Sequence, residues 1–200
     1  MIQVKVCGLT RPQDVASCLE FGVDRLGFVL APSPRQVSLS QLDELLKLLP
    51  PGCHWSAVLV NADEGLLQAL LERGCGSVQF HGDESAEWCR RWSTQTHIVK
   101  AFSIGSAHDL ARIESWPTQE VLLDGPRPGS GQPFSWQWLQ PPPGRPFWLA
   151  GGLNPDNVEA ALRVVRPLGV DVSSGVESAP GCKCRDRLQR FVERVRAQPS

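Results

Sequence analysis

A cysteine near the N-terminus and an aspartate further along the chain each end an apolar run typical of a β-strand. Cys7 ends residues 4–7 (Val-Lys-Val-Cys), and Asp124 follows residues 120–123 (Glu-Val-Leu-Leu). A thiolate can take up a proton and a protonated carboxyl can give one, so the two groups on opposite sides of a substrate would form an acid–base couple. Because the ordinary pKa of cysteine is about 8.5 and that of aspartate about 3.9, both groups would need tuning by their surroundings.

Each of these residues also has a purely structural interpretation. Side chains alternate along a strand, so Lys5 shares a face with Cys7, and an inward-pointing Lys5 would favour the thiolate. However, free cysteines are usually buried apolar groups, and an aspartate before a glycine, such as Asp124, commonly caps a turn. Lys5, Lys100 and Asp171 would equally suit an interior ion network that only fills the fold.

Small residues in two loops near the C-terminus form a second group of candidates. Residues 150–155 read Ala-Gly-Gly-Leu-Asn-Pro and residues 173–176 read Ser-Ser-Gly-Val, and they include Gly152, Ser174 and Gly175. Small residues let backbone N–H groups approach an anion, and a helix N-terminus adds positive potential. The alternative is that these glycines only make tight turns. Two such loops after successive strands favour a phosphate site.

Further polar side chains follow other predicted strands. Arg35 lies in a proline-rich loop, where its guanidinium would suit a substrate carboxylate, although a loop arginine is often only solvated. Asn61, His81 and Asp171 also stand at or near predicted strand ends.

The elements that position these residues alternate regularly between strand and helix. The predicted strands cover residues 4–7, 25–30, 55–60, 77–80, 97–102, 120–123, 146–150 and 169–172. The predicted helices cover residues 14–21, 40–49, 64–73, 85–92, 106–113, 136–139, 154–165 and 188–196. This pattern predicts an α/β fold, a single (β/α)8 TIM barrel over residues 1–200. The competing doubly wound sheet usually carries a dinucleotide fingerprint after its first strand, which is missing here.

In such a barrel the functional residues lie at the C-terminal ends of the strands. The polar residues and glycine loops named above therefore belong to one end, where strands one and six can face each other.

Thr10 and Asn154 are predicted helix N-caps, with Pro155 at a first helical position. The Gly/Pro loop 126–133 is long enough to act as a lid, and the proline run 141–143 is interpreted as a rigid loop.

Composition excludes several classes of function. The chain has 200 residues and a net charge of −1, so nothing in its charge favours a nucleic-acid or membrane-surface partner. No apolar run approaches the roughly 20 residues of a membrane span, and no secretory signal is visible. Seven cysteines at irregular spacing suit a cytoplasmic protein with free thiols. Cys182 and Cys184 lack a second cysteine pair, so free thiols are expected there and zinc is not.

Several motifs in combination resemble one known family. They are residues 5–10 (Lys-Val-Cys-Gly-Leu-Thr), 27–30 (Gly-Phe-Val-Leu), 33–35 (Ser-Pro-Arg), 78–84 (Val-Gln-Phe-His-Gly-Asp-Glu), 122–124 (Leu-Leu-Asp), 149–158 (Leu-Ala-Gly-Gly-Leu-Asn-Pro-Asp-Asn-Val) and 169–177 (Gly-Val-Asp-Val-Ser-Ser-Gly-Val-Glu). Over nearly the whole chain this set resembles phosphoribosylanthranilate isomerase of tryptophan biosynthesis. The resemblance implies an Amadori rearrangement of N-(5-phosphoribosyl)anthranilate, with no metal or organic cofactor.

The resemblance also implies roles for individual residues. Asp124 matches the general acid that opens the ribose ring, and Cys7 matches the general base that takes the C2′ proton. Arg35 matches the residue at the anthranilate end of the substrate. The remaining matches are phosphate-binding backbone at Gly152, Ser174 and Gly175, and pocket-lining positions at His81 and Asp171.

Two segments depart from the family pattern. The lid motif, usually Gly-Gly-Thr-Gly followed by Phe-Asp-Trp, reads Pro-Gly-Ser-Gly at 128–131 and Phe-Ser-Trp at 134–136, where Ser135 can cap a helix as aspartate does. The family's Pro-Gly-x-Lys-Asp reads Pro-Gly-Cys-Lys-Cys at 180–184, a change that concerns the local turn.

The expected partner is a small phosphosugar–anthranilate molecule, and the expected assembly is a monomer or a homodimer. Two other functions compete with this one. Another phosphosugar isomerase or epimerase would typically need paired carboxylates or a metal. A catalytically silent phosphate-ligand-binding barrel would need neither Cys7 nor Asp124.

Overall fold

Eight parallel strands form a closed barrel in the computed structural model, which describes residues 1–114, 116–126, 134–140 and 143–198. The strands are β1 (Gln3–Cys7), β2 (Arg25–Val29), β3 (Trp55–Leu59), β4 (Ser77–Phe80), β5 (His97–Ser103), β6 (Glu120–Asp124), β7 (Phe147–Leu149) and β8 (Gly169–Val172). Each strand pairs with the next in chain order, and β8 closes the barrel against β1 with Lys5 opposite Asp171. The predicted (β/α)8 architecture is confirmed.

Helices follow most of the strands on the outside of the barrel. They are α1 (Pro12–Glu20), α2 (Leu39–Leu46), α3 (Glu64–Glu72), α4 (Ala86–Trp92), α5 (Val158–Val164) and α6 (Arg185–Arg196). Short 3-10 helices occupy Ala107–Arg112 and Trp136–Leu139. A third 3-10 turn, Ser174–Val176, leads from β8 into a hairpin of β9 (Glu177–Ala179) and β10 (Cys182–Lys183), which the sequence did not predict.

The alternation of side chains along β1 and β6 separates two apolar clusters. Val4 and Val6 are fully buried in the larger cluster, together with helix residues such as Val15 and Leu188. Leu122 belongs to a small separate cluster with residues of β5 and β7, inside the barrel. By the same alternation Lys5 and Cys7, and likewise Glu120 and Asp124, point into the barrel.

Two predicted helix starts are wrong. The N-cap of α1 is Arg11, while the Thr10 hydroxyl donates to the backbone oxygen of Gly181 at 2.6 Å. Helix α5 begins at Val158, because the Asn154 side chain accepts from the N–H of Asp156 at 2.8 Å and holds residues 154–157 in turns. A local side-chain bond to the backbone competes with helix formation in this way.

The helix cap predicted at Ser135 also differs from the structure. Ser135 does stand at the N-cap position of the Trp136–Leu139 turn, but its hydroxyl bonds the Gln137 side chain at 2.9 Å and does not cap a backbone N–H. Residues 127–133 of the predicted lid loop 126–133, and residues 141–142 of the proline run, lie outside the described residues.

A buried carboxylate closes the interior at the N-terminal end of the strands. Glu120 Oε2 lies 3.0 Å from Arg25 Nη1, 2.7 Å from Trp148 Nε1 and 3.2 Å from His97 Nε2. Burial disfavours its charge, but these partners outweigh burial and lower the pKa of Glu120 to about 2. Arg25 also stacks over the Trp148 ring at 4.6 Å, so one cluster of side chains joins β2, β5, β6 and β7.

We expect Glu120→Gln to destabilise the fold by about 2–4 kcal/mol at pH 7, since it leaves a buried arginine without its anion. The folded pKa of Glu120 lies below the ordinary value of 4.5, so its contribution is present above pH 4.5 and is lost as the pH falls towards 2. Urea unfolding of both proteins between pH 3 and pH 7 checks this. Glu44→Gln, which breaks the exposed pair with Lys47, is the matched control and should cost roughly 0–1 kcal/mol. A cost for Glu120→Gln that does not change with pH would contradict this account.

Candidate active site

A cavity of about 320 Å³ opens at the C-terminal end of the barrel strands. Its polar lining residues are Cys7, Ser33, Arg35, Gln79, His81, Asp124, Gly151, Gly152, Asp171, Ser173 and Ser174. All the predicted site residues except Gly175 line it, and Gly175 lies directly behind it, next to Leu153. The tertiary structure therefore brings together side chains from the ends of six strands and their loops.

Cys7 is buried at the end of β1 and carries a free thiol. Burial raises the pKa of the thiol above its ordinary value. Lys5 acts in the opposite direction, Asp171 raises the pKa further and Lys183 lowers it. The positive charge of Lys5 favours the thiolate as predicted, but desolvation is the larger effect.

Asp124 ends β6 and is also buried. Its Oδ1 accepts the N–H of Gly125 at 2.7 Å, which favours the charged form, but burial is stronger and raises the pKa of Asp124 to about 6. Gly151 has φ +87°, and a Cβ there would lie 2.6 Å from the Gly125 nitrogen. A side chain at position 151 would thus displace the backbone that holds the carboxyl group.

His81 lies beside Asp124, with its Nε2 3.6 Å from Asp124 Oδ2. Burial lowers the pKa of His81, and the charges of Lys5 and Lys100 lower it further, so the imidazole is neutral at pH 7. Gln79 Nε2 lies 3.2 Å from His81 Nδ1. With the Gln79 amide donating to Nδ1, Nε2 carries the proton and faces Asp124.

Gln79 is a cavity residue that the sequence reasoning missed. It precedes His81 by two positions, so strand alternation already placed both side chains on one face. Among the cavity residues that the structure describes, Gln79 Oε1, His81 Nε2 and Asp171 Oδ1 are buried without a hydrogen-bond partner. Buried polar atoms of this kind are suited to binding the hydroxyl groups of a ligand.

The interior ions form separate pairs, and the three-residue network considered from the sequence is wrong. Lys5 Nζ lies 2.8 Å from Asp171 Oδ2, whereas Lys100 Nζ lies 2.9 Å from Glu84 Oε2. The Lys5–Asp171 pair follows from the β1–β8 register. Asp171 thus has a cationic partner within the cavity. Of the two carboxyl groups that line the cavity, Asp124 is the one with no cationic side chain bound to it among the described residues.

Arg35 reaches the cavity wall with its guanidinium already bound to a carboxylate. Its Nε and Nη2 donate to the two oxygens of Glu177 at 2.8 and 2.7 Å, and only 13% of the side chain is exposed. If Arg35 binds a substrate carboxylate, as predicted, it must do so through the edge of the guanidinium group that includes Nη1, because Glu177 occupies Nε and Nη2.

The loops after β7 and β8 pack backbone against backbone. A Cβ on Gly175 would lie 1.9 Å from the backbone oxygen of Leu153, so only glycine fits there. Gly152 and Ser174 line the cavity on either side of this contact. Asn61, the remaining polar residue at a strand end, has φ +49° and accepts the N–H of Asp83 at 2.8 Å, so it orders a loop outside the cavity.

Within the described part of the chain, no group of three or more His, Cys, Asp or Glu side chains could hold a metal ion. Cys182 and Cys184 are free and partly buried, as expected. No helix among the described residues has the length and apolar character needed to cross a membrane.

Comparisons with known proteins agree on one family. Residues 4–194 match the family described as N-(5'-phosphoribosyl)anthranilate (PRA) isomerase. The curated isomerase of Magnetococcus marinus is 41% identical over 98% of this chain and 95% of its own length. That of Thermotoga neapolitana is 38% identical over 98% of this chain and 99% of its own length.

Solved structures lead to the same family. The phosphoribosyl anthranilate isomerase of Thermus thermophilus superimposes with a TM-score of 0.92 at 34% identity, covering 98% of this chain and 99% of its own. A second isomerase, solved in complex with reduced 1-(o-carboxyphenylamino)-1-deoxyribulose 5-phosphate, gives a TM-score of 0.90 at 35% identity, covering 99% of this chain and 100% of its own. The chain therefore belongs to the phosphoribosylanthranilate isomerase family, the isomerases of tryptophan biosynthesis.

Proposed function

We propose that this chain converts N-(5-phosphoribosyl)anthranilate to 1-(2-carboxyphenylamino)-1-deoxyribulose 5-phosphate, with Asp124 as general acid and Cys7 as general base. The observation that carries the assignment is that both groups line one cavity and that the pKa of Asp124 lies at about 6. A carboxyl group with that pKa keeps a protonated fraction of roughly a tenth at pH 7, whereas an ordinary aspartate keeps about a thousandth.

The first step is opening of the ribose ring. Asp124 gives its proton to the ring oxygen, the C1′–O bond breaks, and the lone pair of the anthranilate nitrogen forms a C=N bond. The ring oxygen becomes a hydroxyl group, and Asp124 becomes a carboxylate. The Nε2 proton of His81, 3.6 Å from Asp124 Oδ2, favours that new charge without competing for the proton.

The second step moves the carbon-bound proton. The Cys7 thiolate takes the C2′ proton, and the electron pair forms the C1′=C2′ bond while the C=N electrons return to nitrogen. The resulting enolamine becomes the ketone when the C2′ hydroxyl gives its proton to the Asp124 carboxylate and C1′ gains one from the Cys7 thiol, which restores both groups. Electrons and protons balance within the substrate, so the scheme uses no external oxidant or reductant.

The binding roles are distributed along the cavity. We assign the substrate phosphate to the backbone at Gly152, Ser174 and Gly175, where the two small-residue loops meet. We assign the anthranilate carboxylate to Arg35. His81 and Asp171 line the same cavity and offer unpartnered polar atoms to the sugar hydroxyls. A relative solved in complex with a reduced form of the proposed product supports a ligand of this class.

An epimerase built on paired carboxylates fits this site less well. Asp124 and Asp171 both line the cavity, but Asp171 is bound to Lys5 at 2.8 Å and Asp124 is not. The two carboxyl groups therefore have different partners and do not form the like pair that such an epimerase uses.

We further propose that residues 1–200 act as one domain in the cytoplasm, on a small-molecule substrate, with no nucleic-acid or membrane partner. The assembly remains a monomer or a homodimer, and a relative from Thermotoga maritima is described as dimeric. Sedimentation of the purified chain distinguishes the two.

Asp124→Asn and Cys7→Ser should each lower kcat at least ~100-fold, the usual effect of removing a general acid or base. The decrease in anthranilate fluorescence as substrate is consumed measures this, in the presence of EDTA so that metal dependence is tested as well. Cys53→Ser, at a partly buried thiol outside the cavity, is the matched control and should retain wild-type kcat. Full activity in either site variant would refute the role assignment, and an inactive wild-type protein would favour a binding function.

The active form needs Asp124 protonated and Cys7 ionised, the reverse of their commonest states at neutral pH. We expect kcat/KM to rise up to about pH 6, the pKa of Asp124, to stay level, and to fall as the pH passes the pKa of Cys7. The plateau arises because each gain in thiolate is cancelled by a loss of protonated carboxyl. The residual activity of Asp124→Asn should lack the break near pH 6. A break that persists in this variant belongs to the substrate phosphate and contradicts the assignment.

Asp124→Asn should also stabilise the fold at alkaline pH. The folded pKa of about 6 lies above the ordinary value of 3.8, so the wild type loses stability as the pH rises through 6, when a buried charge forms. We expect the variant to be more stable by about 2–3 kcal/mol at pH 8 and equal to the wild type below pH 4. Thermal unfolding at both pH values measures the difference. Asp156→Asn, at an exposed site, is the control. A variant less stable at pH 8 would contradict the proposed burial effect.

A further inference from the structure

The hairpin β9–β10 places a buried lysine under the backbone of Cys7. Only 1% of the Lys183 side chain is exposed. Its Nζ lies 2.6 Å from the backbone oxygen of Cys7, 2.7 Å from Glu177 Oε1 and 3.3 Å from Ser173 Oγ. With the Ser173 backbone oxygen at 3.4 Å, four acceptors surround this nitrogen, which fits an ammonium group with three donors and no acceptor. Burial lowers the pKa of Lys183, and the charge and hydrogen bond of Glu177 act in the opposite direction.

Glu177 is shared between two cations. It accepts from Lys183 through Oε1 and from Arg35 through both oxygens, at 2.8 and 2.7 Å. Two cations and one anion leave the cluster Lys183–Glu177–Arg35 with a formal charge of +1. The other ions at the thiol, Lys5 and Asp171, form a pair with no net charge.

The charged groups that face Cys7 come from several elements. They are Lys5 on its own strand, Asp171 on β8, Lys183 on β10, and Arg35 and Glu177 within the cluster. Burial raises the pKa of the thiol, Lys5 lowers it through its charge and a hydrogen bond, and Asp171 raises it. Lys183 lowers the pKa of Cys7, and the thiolate in turn raises the pKa of Arg35.

The cluster is anchored at a distance from the cavity. The backbone N–H of Lys183 donates to Asp14 Oδ2 on α1 at 3.1 Å, which fixes β10 against the first helix. Neither Lys183 nor Glu177 lines the cavity. Lys183 therefore acts on the cavity through the lining residues that it contacts, Cys7 and Ser173, or through Glu177 on Arg35.

We propose that Lys183 is a positioning residue for Cys7, which holds the Cys7 backbone at the cavity through its carbonyl and supplies the unbalanced positive charge that stabilises the thiolate. The catalytic meaning of this role rests on the proposed function, but the effect on the thiol does not. Lys183 adds to the positive charge of Lys5 and so lowers the cost of ionising a buried cysteine.

The test measures the ionisation of Cys7 itself. Iodoacetamide alkylation of the folded protein is followed from pH 6 to pH 10, with the Cys7 peptide quantified by mass spectrometry because seven cysteines are present. Lys183→Met keeps the length of the side chain and removes its charge. We expect the pKa of Cys7 to rise by on the order of 1 unit, so alkylation at pH 7 slows about 10-fold.

Two further variants distinguish the effect of the Lys183 charge on the pKa of Cys7 from the effect of disturbing the fold. Lys100→Met removes an equally buried lysine that is paired with Glu84, and it should leave the pKa of Cys7 unchanged. Glu177→Gln disturbs the same hairpin but removes a negative charge, so it should not raise the pKa of Cys7. A rise in Glu177→Gln, an equal rise in Lys100→Met, or no rise in Lys183→Met would each overturn the proposal. If Lys183→Met does not fold, Glu177→Gln still tests the proposal, because a rise in the pKa of Cys7 in that variant would overturn it.

Activity measurements distinguish this proposal from the proposed function. In Lys183→Met the alkaline limb of kcat/KM should move upward by the same shift as the alkylation pKa, while the break near pH 6 stays in place. A lower kcat without a shifted limb indicates a merely structural role and overturns the proposal. Full activity in Cys7→Ser would instead refute the catalytic role of Cys7 and leave the alkylation result standing.

Discussion

The burial of ionisable groups in a narrow barrel mouth is the constraint on which the rest of this site depends. A buried charge is costly unless a partner of opposite charge or several hydrogen bonds accompany it. Lys5, Lys100 and Glu177 each have such a partner within 2.9 Å. Asp124 has only a backbone N–H, and burial therefore raises its pKa to about 6.

The same constraint separates the acid from the base. Asp124 lies beside a neutral imidazole, and burial outweighs the charge of Lys5, which lowers the pKa of the carboxyl group. Cys7 is buried too, but the cations of Lys5 and Lys183 approach it from the strand and from the hairpin. Burial favours the protonated form of both groups, and two cations oppose this effect at Cys7. The two environments therefore differ, as an acid paired with a separate base requires.

Stability and function divide between the two ends of the barrel. At the N-terminal end, Glu120 is held fully charged by Arg25, His97 and Trp148, and it ties four strands together. At the C-terminal end, polar atoms such as Gln79 Oε1 and Asp171 Oδ1 are left without partners among the described residues. Satisfied groups stabilise the fold, whereas unsatisfied ones give up stability in exchange for binding capacity.

The sequence by itself determined the strand–helix alternation, the barrel and the end at which Cys7, Asp124 and the glycine loops meet, because periodicity and turn residues are local properties. It also put Gln79 on the face of His81, a signal that was overlooked. Only the tertiary structure decided the partners of each charge: Lys5 with Asp171, Lys100 with Glu84, and Lys183 with Cys7 and Glu177. Those pairings depend on register and on the unpredicted β9–β10 hairpin, which join residues far apart in the chain. Since the pKa of a buried group depends on its neighbours in space, the charge states of the acid and the base could not be read from the sequence.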